Sequence, residues 1–270
     1  MVMNIPPVIP SLARAELNDL ALAKSLLENP GFAIRMANLM GAPIERGFAM
    51  LPKNWSAVVN RAAKASLLRA LELAVATLGK PNHRRSRELF HKVLVGASGG
   101  IGGVFGLAAL PIELPISTAI MLRSIADVAR SEGHDISRIQ TKLECLEVFA
   151  LSGQRVDAKA AETAYWMTRA ALSKTVAEAA TYLGQKGVVR ETAPVIVRLI
   201  NELASRFGVL VSEEVAAKAV PIIGAAGGGV VNVLFIAHFQ DMARGHFIVK
   251  RLEAVYGLER VKAEYEQLKI

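Results

Sequence analysis

Two long stretches of this chain are nearly free of charge and rich in glycine, and they constrain the fold more than any other feature. From Val93 to Leu122, thirty residues carry one formal charge, Glu113. From Ala219 to Ala237, nineteen residues carry none. Segments this apolar are buried all round, either at the centre of a helical bundle or in lipid. Their length fits both readings, since about 20 apolar residues cross a hydrocarbon core. Both segments also place small residues four apart: Gly99/Gly103, Gly102/Gly106 and Gly224/Gly228. Such pairs clear one helix face so that a second backbone can approach closely. An interior glycine costs about 1 kcal/mol relative to alanine, so close packing or a turn has to offset it. Asn232, an amide inside the second segment, needs a buried partner and is expected to fix helix register.

The rest of the chain reads as helix. Leu12, Leu17, Leu20 and Leu27 follow a 3.6-residue stripe within Ser11–Glu28, and Asn29-Pro30-Gly31 stops it. A second helix is expected over Phe32–Leu51, and a third runs from the N-cap Asn54 to Leu78. Further Ala/Leu-rich windows cover 137–151, 155–183, 188–207 and 212–223. A last helix spans Val230–Tyr256, with a polar amphipathic tail over Leu258–Lys269. The clusters Val93-Leu94-Val95 and Val230-Val231 lack the alternation of a half-buried strand. The expectation is an all-α protein, a multi-helix bundle of about ten helices around a glycine-rich hydrophobic helical hairpin. Pro111-Ile-Glu-Leu-Pro115 forms the hairpin turn, because proline removes an amide donor and clashes with the preceding turn. The Lys80–Asn82 break separates an N-terminal region, 1–79, from 80–270, within what reads as one continuous domain.

Composition narrows the function classes. With 52% hydrophobic and 21% charged residues, the chain is not intrinsically disordered. Cys145 is the single cysteine, which excludes a disulfide scaffold and a multi-cysteine zinc site. It sits among Leu143, Leu146 and Val148 with no histidine nearby in sequence, the setting of an inert thiol. The net charge of +8 points to an anionic partner. Aromatic residues are only 6% and are not interleaved with basic ones, which argues against nucleic acid. Lys80, Arg84, Arg85, Arg87 and Lys92 surround one acid, Glu88, just ahead of the first apolar segment. That basic collar is either a contact for an anionic membrane or lipid, or a solvated helix face. Met1–Pro10 has three prolines and no basic residue, unlike a secretory signal. The expected location is cytoplasmic, at the inner face of the membrane.

Catalytic motifs are scarce. Gly96-Ala-Ser-Gly-Gly-Ile-Gly-Gly lacks the Gly-Lys-Ser/Thr ending of a phosphate loop and the strand that a dinucleotide fingerprint follows. Ser98 lacks the strand a nucleophile elbow requires. Arg123, Asp127 and Arg130 share a helix face as an ion-pair ladder. Glu144 and Glu147, and likewise His238 and Asp241, stand three apart, and together they could converge on a metal as helical carboxylate/His sites do. His246 follows further along. No cofactor is expected, and neither HExxH nor a repeated ExxH pair occurs.

Three stretches carry a resemblance: VGASGGIGGVFGLAALPIELPISTAIMLRSIADVARSEGHD, LECLEVFALSG and KAVPIIGAAGGGVVNVLFIAHFQDMARGHF. Together they resemble the EcsC family over about residues 55–257. The matching pieces are the turn Leu110–Pro115, the pair Cys145–Leu146 and the segment Pro221–Ala225. Glu113 stands where Asp is expected, a conservative departure. The family is bacterial and named for a gene beside an ABC transporter operon, so the resemblance implies a transporter or secretion-system partner. It carries over no catalytic residue. The leading expectation is a non-enzymatic, membrane-associated helical protein that supports transport or secretion. The runner-up is a soluble hydrolase or metal-dependent enzyme using Glu113, Glu144, His238 and Asp241.

Overall fold

A computed structural model describes residues 12–28, 45–79, 102–151, 158–219 and 228–268. Nine α-helices and no strands occur among them: α1 (Arg14–Leu27), α2 (Glu45–Ala49), α3 (Trp55–Thr77), α4 (Gly102–Ser131), α5 (Ile139–Leu151), α6 (Ala158–Lys186), α7 (Pro194–Ala219), α8 (Gly228–Tyr256) and α9 (Leu258–Gln267). The all-α class follows from the 3.6-residue stripes. Leu67, Leu71 and Ala74 of α3, for example, are fully buried at three- and four-residue spacing.

The expected hairpin is not what forms. Residues 102–131 make one helix of 30 residues with Pro111 and Pro115 inside it, so Pro111–Pro115 is helix rather than turn. Which way the prolines point explains this. Leu110 and Leu114 are buried, Pro111 and Ile112 are exposed or nearly so, and Pro115 is half-buried. Pro115 cannot donate to the Pro111 carbonyl, but that carbonyl belongs to an exposed residue and can be hydrated. The expected windows 188–207 and 212–223 likewise merge into α7, which runs through Gly208. Asn54 precedes α3 as anticipated, although its side chain makes no capping hydrogen bond. Most of the expected helix over Phe32–Leu51, and the Lys80–Asn82 break, lie outside the described residues.

One hydrophobic core draws on helices from both sides of that break. At its centre Phe149 of α5 meets Phe207 of α7 and Phe239 of α8, each at 5.1 Å between ring centroids. Edge-on aromatic contacts of this kind add about 0.5–1.5 kcal/mol each to the area they bury.

Cross-helix contacts fix the helix directions. Gln240 of α8 donates to the Ser124 hydroxyl of α4 at 2.7 Å, and His134 beyond α4 donates to the Phe247 carbonyl at 2.9 Å. Positions rise together on both helices, so α4 and α8 run parallel. Gly79, just past α3, lies against Ser137, and Lys142 donates to the Val75 carbonyl at 3.3 Å. The ends of α3 and α4 therefore coincide. Lys218 near the end of α7 meets Glu113 near the start of α4 at 3.1 Å. The starts of α3, α4 and α8 and the end of α7 thus share one end of the bundle, where the described parts of both apolar segments lie.

Helix α1 packs on α8 through Gly245. A Cβ there would stand 2.7 Å from Leu27 Cγ and 3.0 Å from the Ala23 carbonyl oxygen. Helix propensity alone makes Gly245→Ala stabilising by about 1 kcal/mol. The backbone contact reverses the sign: overpacking is expected to cost about 1–3 kcal/mol, read as a lower urea midpoint. A raised midpoint contradicts the close approach.

Candidate functional site

Apart from the Asp19–Arg251–Glu132–Arg244 ion-pair cluster, which ties α1 to α8, two gatherings of ionisable side chains stand out among the described residues. The first is the shared helix end. Lys218 is held by Glu214 one turn earlier at 2.8 Å and by Glu113 at 3.1 Å. Burial raises the Glu214 carboxyl above the usual range, against the pull of Lys218. Burial also opposes the Lys218 charge, yet Glu214 and Glu113 together hold the ammonium above the ordinary lysine range. Glu113, the acid between the two prolines, is therefore an ion-pair partner that ties α4 to α7. Next to it the surface turns apolar. Ile112 is 73% exposed and Ile116 45%, and Val233 on the parallel α8 is 55% exposed. No helix among the described residues is long and apolar enough to cross a membrane.

The second gathering is buried where α5, α6 and α8 meet. Arg169 of α6 makes a two-pronged salt bridge to Glu253 of α8, both contacts at 2.7 Å. The guanidinium lies 5.4 Å from the Tyr165 ring centroid and 5.2 Å from that of Trp166. It also donates to the Tyr165 hydroxyl at 3.4 Å, which leaves that hydroxyl to donate to His246 Nδ1 at 3.2 Å. Burial, then the cations Arg169 and Lys250, hold the His246 imidazole neutral and well below its usual range. Among the described residues His246 Nε2 has no hydrogen-bond partner. Burial pushes the Glu147 carboxyl up to about 7, against the attraction of Arg169 and Lys250. Lys250 pairs with Glu144 at 2.9 Å.

The four residues of the enzyme alternative, Glu113, Glu144, His238 and Asp241, are not gathered into a metal site among the described residues. Glu113 and Glu144 each face a lysine, and buried His238 packs against the Phe239 ring. Asp241 is half-buried on α8. Among the described residues no group of three or more His, Cys, Asp and Glu side chains is placed to hold a metal ion. Of the surface ladder, Arg130 and Asp127 pair at 3.2 Å. Cys145 is fully buried, and burial followed by the neighbouring Glu144 raises its thiol far above the reactive range.

The collar residues Lys80, Arg84, Arg85, Arg87 and Lys92 lie outside the described residues, as do Gly99, Gly224 and Pro221–Ala225. Gly102, Gly103 and Gly106 fall in the first turns of α4, and Gly228 opens α8. Asn232 is half-buried. Sequence reasoning missed Tyr165, Arg169, Lys218, Lys250 and Glu253. The partners Arg169 and Glu253 are 84 residues apart. Their only local signal is an aromatic pair, Tyr165-Trp166, one turn before an arginine. Residues 26–252 match the model of the EcsC protein family. No curated protein and no solved structure matches the chain.

Proposed function

Because the chain belongs to the EcsC protein family, which brings no catalytic residue to it, we propose a binding role: a membrane-associated helical protein that docks on an anionic leaflet. One observation carries this reading. The bundle end that holds the starts of α4 and α8 exposes Ile112 and Ile116, which flank Glu113 of the Glu113–Lys218 pair, and Val233 of α8. The chain's net charge of +8 favours the same surface. In this reading the isoleucines enter the headgroup boundary, and the basic residues of the stretch leading to α4, Arg84, Arg85, Arg87 and Lys92, supply positive charge for anionic lipid. The protein sits at the cytoplasmic face of the membrane and supports a transporter or secretion system there.

Partial burial of each isoleucine contributes on the order of 1 kcal/mol, and each basic residue at the surface about the same. Flotation with phosphatidylglycerol vesicles, against phosphatidylcholine vesicles, tests the reading. The paired change Ile112→Asp and Ile116→Asp alters exposed side chains and is expected to weaken binding by about tenfold or more. Neutralising Arg84, Arg85 and Arg87 is expected to flatten its salt dependence. Protein that stays wholly unbound at low salt, and wholly in the supernatant of carbonate-washed cells, ends the proposal.

A further inference from the structure

We propose that the groove between α3 and α7 is a binding site for a small phosphorylated polyol, the chemistry shared by a glycerophosphate lipid head and a free sugar or glycerol phosphate. The groove holds about 370 Å³. One wall is Ser56, Asn60 and Lys64, successive turns of the exposed face of α3. The other is α7, with Asn201, Ser205 and Ser212 around Gly208.

The donors and acceptors define the ligand class. Ser205 donates its hydroxyl hydrogen to the Glu202 carbonyl at 2.8 Å, and Ser212 donates to the Gly208 carbonyl at 2.6 Å. Both hydroxyls therefore turn lone pairs outward and suit a ligand that brings hydroxyl donors. Lys64 supplies the single charge of the lining, and it makes no ion pair among the described residues. An ammonium without an acid suits one anionic group, while Asn60 and Asn201 can give and accept at the rim. Hydroxyl donors and a phosphate on one small molecule satisfy the polar members, and its carbon chain meets the apolar ones, Val59, Ala204 and Val209.

Gly208 lines the same groove. It lies inside a 26-residue helix, where glycine is unfavourable relative to alanine. Among the described residues a Cβ at Gly208 meets nothing within 4 Å, so packing against them does not require the glycine. Unlike Gly245, it seats no other helix. What it leaves open is the floor of the groove.

The proposal stands apart from the membrane reading, and calorimetric titration of the full chain tests it. Glycerol 3-phosphate is expected to bind about tenfold tighter than inorganic phosphate, with no heat from glycerol. Lys64→Ala is expected to weaken glycerol 3-phosphate by about tenfold, and Gly208→Leu to abolish binding by filling the floor. Gly208→Ala is the folding control, and its melting temperature is expected to rise. Equal affinity for the two phosphates, unchanged binding by Gly208→Leu, or no heat with glycerol 3-phosphate at millimolar concentration overturns the site. Phosphatidylglycerol vesicles then distinguish the sources. Vesicle binding lost in Gly208→Leu identifies a lipid head, and vesicle binding retained identifies a free phosphorylated polyol; both uphold the site. Wild-type protein that binds glycerol 3-phosphate but no vesicle upholds the groove and removes the membrane reading alone.

Discussion

Replacing Arg169 by methionine is expected to cost about 3–5 kcal/mol of folding stability, the loss that follows when one partner of a buried ion pair is removed. Methionine matches much of the arginine stem, so the loss comes from the groups left behind. Glu253 would keep its carboxylate, 10% exposed, without the two contacts at 2.7 Å that now neutralise it. Tyr165 would lose its hydrogen-bond donor, and the Tyr165 and Trp166 rings would lose the cation above them. The pairing of charges, rather than the presence of one, is what the site needs. The double change Arg169→Met with Glu253→Met should therefore recover much of the loss, because no unpaired charge remains. Chemical denaturation of the two variants gives the comparison directly. A single variant within about 1 kcal/mol of wild type, typical of a surface ion pair, contradicts this role for Arg169.

Glu147→Gln is expected to act in the opposite direction. Burial raises the Glu147 carboxyl from 4.5 to about 7 in the folded protein. Between those values the native state holds a proton that the unfolded chain has released, so stability falls as pH rises through that window. Below about pH 4 both states are protonated and the penalty vanishes. Above about pH 7.5 both are ionised and the penalty is complete, on the order of 3 kcal/mol. Glutamine carries no charge to desolvate and keeps the shape of the protonated acid. The variant should therefore be more stable than wild type at pH 8, by up to about 3 kcal/mol, and nearly equal to it at pH 4. Urea midpoints at the two pH values measure this. A variant destabilised at pH 8 means that the Glu147 charge is held by Arg169 and Lys250 more strongly than burial opposes it.

Arg169 and Glu147 also mark where sequence reading stops. The helices are legible because burial follows local spacing: Leu67, Leu71 and Ala74 declare a buried face whatever lies opposite. Pro111 and Pro115 mislead for a related reason. The rule that proline breaks a helix is local, whereas its cost depends on which way the ring and the freed carbonyl face. Glu113 stands out in the sequence, but its partner Lys218 lies 105 residues away, and no spacing announces such a pair. Glu147 is visible only as a neighbour of Glu144. Its weakened acidity arises from burial beneath α6 and α8, which exists only once the bundle has formed. Gly208 falls in the gap between the expected windows 188–207 and 212–223, and only the fold shows that it lines a groove between α3 and α7.

The seat of α1 has a consequence for how the protein is made. Lys24 donates to the Tyr265 carbonyl, Asp19 pairs with Arg251, and the Tyr256 hydroxyl donates to Glu16. These partners stand 241, 232 and 240 residues apart. On a ribosome, α1 emerges before α8 and α9, which supply most of the surface that receives it. Until then most of the docking surface for its apolar face, Leu20, Ala23 and Leu27, is missing, and closing so long a loop adds to the delay. A nascent chain stalled before Gly245 thus lacks the seat on α8 that covers Ala23 and Leu27 in the folded protein.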